Sequence, residues 1–240
     1  MGLFIEIVLI AIVTAVACAL PGVFLVLRRM AMISDAITHT VLLGIVLAFF
    51  VVRDITSPIL VIAAAGAGVA TVMLIELLSR SNRMREDAAI GLVFPLLFSI
   101  AVILIAQYAS NIHLDVDAVL LGELAFAPLD RFEFSGNDLG PRSLWLMSGI
   151  LMVSLALLMT FYKELQLSTF DAALAAAFGF APAALYYGLM SVVSLTAVGA
   201  FNVVGSVLVV AWMVAPPAAA YLWTDRLWHM LVLSALFSAL

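Results

Sequence analysis

The chain has 240 residues, 66% of them hydrophobic and 10% charged, with mean hydropathy +1.27 and a formal net charge of −5. A soluble domain carries about 25% charged residues, so a soluble globular fold is excluded, and the acidic balance with no basic patch excludes a nucleic-acid binder. The single Cys18 excludes an intrachain disulfide.

At about 20 residues per span, residues 1–240 form a single transmembrane domain. The expected fold is all-α, a polytopic bundle of about eight spans with broken helices. In chain order the apolar segments are 3–27, 36–52, 57–78, 89–108, 143–162, 183–200, 203–223 and 228–240. The first has no basic leading region and is not read as a cleaved signal. The last is too short to span and reads as a truncated helix. Pro21-Gly22 is expected to interrupt the first span, Pro95 the fourth and Pro216-Pro217 the seventh. Interrupted helices free backbone groups at depth and accompany transport pathways.

Between the first two spans the chain reads Met30-Ala31-Met32-Ile33-Ser34-Asp35-Ala36-Ile37-Thr38-His39. On a helix, positions i and i+4 share a face, so Asp35 and His39 point the same way. Ionisable groups at membrane depth are costly and usually line a polar pathway. A carboxylate beside an imidazole also suits a divalent transition metal. The alternative is that the pair caps a helix end or pairs with Arg28 or Arg29.

Orientation follows from the basic residues. Arg28, Arg29, Arg80, Arg83, Arg85 and Lys163 fall in alternate loops and make six of the ten basic residues. Those loops are expected in the cytoplasm, with the N-terminus outside. Glu76 is expected to pair with Arg80 one turn on, and Asn202 with Gly199 and Gly205 to mark close packing of the sixth and seventh spans.

Two connections are longer than a bundle needs. Residues 109–142 are expected outside and hold Asp115, Asp117, Glu123, Asp130, Glu133 and Asp138 against Arg131 and Arg142. Their part 116–128 is apolar enough to re-enter the membrane, where backbone buried in protein is tolerated. A bend at Gly122 lets Asp117 and Glu123 converge; the alternative is a solvated acidic loop. His113 reads as a surface residue, with a metal ligand as the alternative, and His229, close to Arg226 at an interface, is expected to have no role. Residues 163–182 are expected in the cytoplasm, where Ser168 or Thr169 caps a short alanine-rich helix that Gly179 and Pro182 stop. Such a helix, lying along the membrane, offers a partner something to grip. No Gly-x-Ser-x-Gly, His-Glu-x-x-His or Walker lysine loop is present, Lys163 being the only lysine. The chain is therefore read as no enzyme, and any ATP it uses is hydrolysed elsewhere.

These segments resemble the manganese/zinc-type ABC permeases, the family of TroC, MntB and ZnuB. The stretch LVLRRMAMISDAITH at 25–39 is similar to the family's first signature, DVDAVLLGELAF at 115–126 to its second and GSVLVVAWMVAPPAA at 205–219 to its third. FDAALA at 170–175 is similar to the part that meets the ATPase. The resemblance spans nearly the whole chain. It implies a bacterial inner-membrane permease that pairs with an identical or related permease. Its further partners are cytoplasmic ATP-binding subunits and an extracellular or periplasmic metal-binding protein. It implies metal contact at Asp35, His39, Asp117 and Glu123, with Asp115 beside them, and ATPase coupling through Phe170, Asp171 and Leu174. No cofactor is permanently held; Mn²⁺, Zn²⁺ or Fe²⁺ is the cargo, and Gly122-Glu123 leans toward manganese.

Three other classes use parts of the same pattern. A proton-coupled secondary cation carrier uses the acids as proton relays but needs no ATPase dock. An intramembrane protease needs paired membrane aspartates in protease-like motifs. A cobalamin or siderophore permease has little need of Asp35 and His39.

Overall fold

The computed structural model describes residues 2–53, 58–80, 84–108, 124, 127–134 and 137–240. Helices α1 (Gly2–Leu27), α2 (Ala31–Val52), α3 (Pro58–Arg80) and α4 (Glu86–Tyr108) come first. A 3₁₀ turn at Ala127–Leu129 leads to an antiparallel hairpin of β1 (Arg131–Phe134) and β2 (Asn137–Pro141). Then come α5 (Arg142–Thr160), α6 (Tyr162–Phe170), α7 (Ala172–Ala177), α8 (Pro182–Trp223) and α9 (Leu227–Ala239). Six of these helices are long and apolar enough to cross a membrane. With backbone groups paired inside each segment, as lipid requires, the chain is a multi-pass membrane protein.

The three proline sites do not interrupt their helices. Pro21, Pro95, Pro216 and Pro217 all lie inside continuous helix. The break in α8 falls at Gly205, within a few residues of the junction expected between segments 183–200 and 203–223, and its φ of 77° and ψ of 168° belong to a region open essentially to glycine alone. Straight, the run Pro182–Trp223 would be about 63 Å long, twice the roughly 30 Å of bilayer hydrocarbon. It is folded back. Leu189 and Ala220, on its two arms, both join the buried cluster of Leu20, Val23, Phe24 and Leu158. Gly199, near the break, packs on Leu146, Met147 and Ile150 at the other end of α5. The sixth and seventh spans are thus the two arms of α8, meeting at Gly205.

Small residues set the helix spacing. A Cβ at Gly22 would overlap the backbone of Met213, and one at Gly44 would overlap Ala63 and Ala64. α1 therefore lies directly on the second arm of α8, and α2 on α3. The nearest neighbours of Gly199 are side chains of α5. Buried hydroxyls add ties: Thr71 Oγ1 donates to Thr40 Oγ1 at 2.9 Å, and Ser194 Oγ donates to the Ala65 carbonyl at 2.8 Å.

Two local expectations change. The hairpin was not anticipated; it is tied to the start of α1 by Arg131 Nη2 and Glu6 Oε2 at 3.2 Å. The short alanine-rich helix is capped by Asp171, whose Oδ1 accepts from the Leu174 N–H at 2.9 Å. Ser168 and Thr169 sit one helix earlier, within α6, and are engaged elsewhere. The stop is as expected: Gly179 has φ +85° and Pro182 opens α8.

Candidate functional site

α2 starts at Ala31, so Asp35 and His39 lie within regular helix rather than at its edge. Met30 occupies the N-cap position without a side-chain hydrogen bond. Asp35 is therefore no cap. Its Oδ1 stands 3.4 Å from His39 Nε2, the i,i+4 approach that the spacing predicts. Thr38 Oγ1 donates to the Asp35 carbonyl at 2.8 Å, which keeps that hydroxyl from competing for the carboxylate. The side chains are 41% and 21% exposed, so both reach open space at one side. Met32, Asp35, His39, Leu47 and Val51 follow one open stripe of α2.

Two aromatic rings of α4 hold the imidazole from the closed side. The His39 ring centroid is 5.1 Å from that of Phe94 and 5.8 Å from that of Phe98, the second edge-on. Phe94 and Phe98 were not singled out in the sequence; their i,i+4 spacing on α4 was the available signal. Aromatic packing of this kind fixes ring orientation. It leaves a carboxylate oxygen and an imidazole nitrogen 3.4 Å apart, a donor pair suited to a borderline divalent cation. Among the described residues no third His, Cys, Asp or Glu completes a cluster with them. Asp115, Asp117 and Glu123 lie outside the described residues, as does His113.

A second polar constellation forms at the end of α1. Arg28 does not pair with Asp35. Its Nε donates to Thr169 Oγ1 at 3.2 Å and its Nη2 to Ser168 Oγ at 3.1 Å. The guanidinium also lies 5.7 Å from the Tyr186 ring centroid. Beside it is a cavity of about 330 Å³, which Glu76 and Ser79 of α3 also line. The expected partner of Glu76, the Arg80 side chain, lies outside the described side chains. Within α6 and α7, Leu165 and Ala175 are fully buried while Phe170, Asp171 and Leu174 face outward, joined by Phe178. His229 is exposed near the start of α9.

Residues 2–240 match the family described as ABC 3 transport family. The chain is 54% identical over 211 residues to the zinc transport system membrane protein TroD of Treponema pallidum (strain Nichols), covering 88% of this chain and 57% of that one. It therefore spans little more than half the length of that relative. It is 46% identical over 229 residues to the manganese transport system membrane protein MntD of Bacillus subtilis (strain 168), covering 95% of this chain and 77% of that one. Among solved structures, PsaBC from Streptococcus pneumoniae in complex with Fab superposes with TM-score 0.79 at 28% identity, covering 100% of this chain and 79% of that one.

Proposed function

The chain belongs to the ABC 3 transport family, and from that premise we propose that it is the membrane permease subunit of an importer for a divalent transition metal ion. Mn²⁺ is the favoured cargo, with Zn²⁺ and Fe²⁺ as alternatives. The Asp35–His39 approach at 3.4 Å, on an open stripe of α2, carries this reading. The relatives named for manganese and zinc transport support it. Family membership sets aside the proton-coupled carrier.

The mechanism follows from the donors. A carboxylate and an imidazole bind a partly dehydrated cation, and Phe94 and Phe98 hold the imidazole ring in place. Asp117 and Glu123, with Asp115 beside them, supply further oxygens from the second segment. Passage requires a site tight enough to load and loose enough to release. Ligands contributed by two segments meet that need, because separating the segments dismantles the site. The ion arrives from an extracellular solute-binding protein and moves through a dimer of permeases. Two cytoplasmic ATPases, docked on residues 163–182 through Phe170, Asp171 and Leu174, drive the cycle. The Arg28 end of the bundle then faces the cytoplasm and the N-terminus lies outside.

Uptake of Mn²⁺ into proteoliposomes holding the assembled transporter tests the site. Asp35→Asn and His39→Ala should each cut uptake by more than about 100-fold, since removing even a partner of a metal ligand costs about 10- to 100-fold. Assembly with the ATPase should persist. Normal uptake by both variants would reject the assignment.

A further inference from the structure

The Arg28 constellation has a place in the transport cycle that the metal site alone does not explain. We propose that Arg28 is the positioning residue that transmits motion of the ATPase-docking segment to the metal pair on α2. This rests on the reading of residues 163–182 as the dock.

The physical path is short and stiff. At one end, Arg28 grips two successive hydroxyls of α6, Thr169 and Ser168, at 3.2 and 3.1 Å. These are the two residues immediately before Phe170, the first outward-facing aromatic of the dock. A guanidinium holding two acceptors in a fixed fork transmits direction as well as distance, which a lysine ammonium does not. At the other end, Arg28 belongs to a single tight turn. The Arg29 N–H donates to the Val26 carbonyl at 3.0 Å, that of Met30 to Leu25 at 2.8 Å, and that of Ile33 to Met30 at 3.0 Å. Arg29 holds the left-handed conformation, φ 61°. α1 and α2 are thus joined without slack, and Asp35 and His39 ride on the first turns of α2. A displacement of α6 drawn through Arg28 reaches those ligands along continuous helix.

The surroundings allow movement. The cavity of about 330 Å³ lies on the same side of Arg28, between Glu76, Ser168, Ala172 and Tyr186. It is space into which α6 and α7 can shift relative to α3 and the first turn of α8. The Tyr186 ring, 5.7 Å from the guanidinium, offers the charge a cation–π contact on the cavity side. Burial lowers the Arg28 pKa from its ordinary value, with Tyr186 opposing the shift. Even so, a guanidinium keeps its charge at any physiological pH, so the clamp does not switch with acidity.

The test uses the complete transporter, with its ATPases and binding protein, in proteoliposomes. Three quantities are read: ATPase co-purification, the rate of ATP hydrolysis, and Mn²⁺ taken up per ATP hydrolysed. Arg28→Met should keep co-purification and hydrolysis within about twofold while uptake per ATP falls at least about tenfold. Arg28→Lys should restore part of that ratio. The double variant Ser168→Ala with Thr169→Val removes only the acceptors and should reproduce Arg28→Met; it decides the matter should Arg28→Met fail to assemble. In the double variant, unchanged uptake per ATP would overturn the proposal, and so would loss of co-purification, because positioning contacts leave the dock assembled. Phe170→Ala with Phe178→Ala addresses the dock separately: if the affinity for the ATPase is unchanged by it, the dock itself has been misplaced.

Discussion

The two polar constellations of this bundle are built in opposite ways. Asp35 and His39 are four residues apart on one helix, meet at 3.4 Å and stay partly open. Arg28 reaches Ser168 and Thr169 across 140 and 141 residues of chain. The first is local geometry, available to any helix that carries the right two residues. The second exists only because the fold returns α6 and the start of α8 to the end of α1. An open local pair suits a ligand that comes and goes. A closed long-range clamp suits parts that must move together.

The comparison can be broken from the scaffold side first. Gly22 lets α1 lie on the backbone of Met213, and backbone cannot move aside as a side-chain tip can. Gly22→Leu should destabilise the protein by about 3 kcal/mol, the upper part of the range for overpacking. Thermal unfolding in detergent reads this, and an unshifted Tm would show that α1 does not need this contact. Smaller in effect, Phe170→Ala with Phe178→Ala should weaken ATPase association by about tenfold, the loss of an exposed aromatic anchor. Binding titration of the purified ATPase measures it; equal affinity would move the dock elsewhere.

Next in size, Phe94→Ala should sharpen the role of the aromatic floor under His39. Aromatic pairs contribute about 0.5–1.5 kcal/mol beyond burial, so Mn²⁺ affinity should fall by roughly threefold to tenfold while Phe94→Tyr retains it. Identical affinity in Phe94→Ala would make the ring mere packing. The smallest effect belongs to the hairpin tie. Arg131→Ala removes a partly exposed ion pair with Glu6 and should cost less than about 1 kcal/mol. A larger loss would give the hairpin a structural weight that its exposed pairing does not suggest.

The same contrast explains how much the sequence disclosed. Helix i,i+4 periodicity placed Asp35 beside His39 because that relation needs no tertiary information. Apolar runs marked the spans for the same reason, down to the two arms of α8. The spans 183–200 and 203–223 put the junction of its arms within a few residues of Gly205, the residue that takes φ 77° with ψ 168°; the breaks expected at the prolines are absent, since a helix in lipid keeps its remaining backbone pairs around a proline. Ser168 and Thr169 are sound cap candidates by type, yet α6 runs through them to Phe170, so Asp171 is the residue that precedes and caps α7, while their hydroxyls accept from Arg28. Nothing in the local pattern reveals an arginine 140 residues away. Phe94 and Phe98 were hidden likewise: their spacing gave them a common face but not what that face meets.

The most direct measurement is pulsed electron paramagnetic resonance of Mn²⁺ bound to the assembled transporter in nanodiscs. An imidazole nitrogen coordinated to the ion gives a nuclear modulation that water and carboxylates do not. The modulation should be present in the parent protein, retained in Phe94→Tyr and lost in His39→Ala, although His113 and His229 remain. An unchanged nitrogen modulation in His39→Ala would contradict the account.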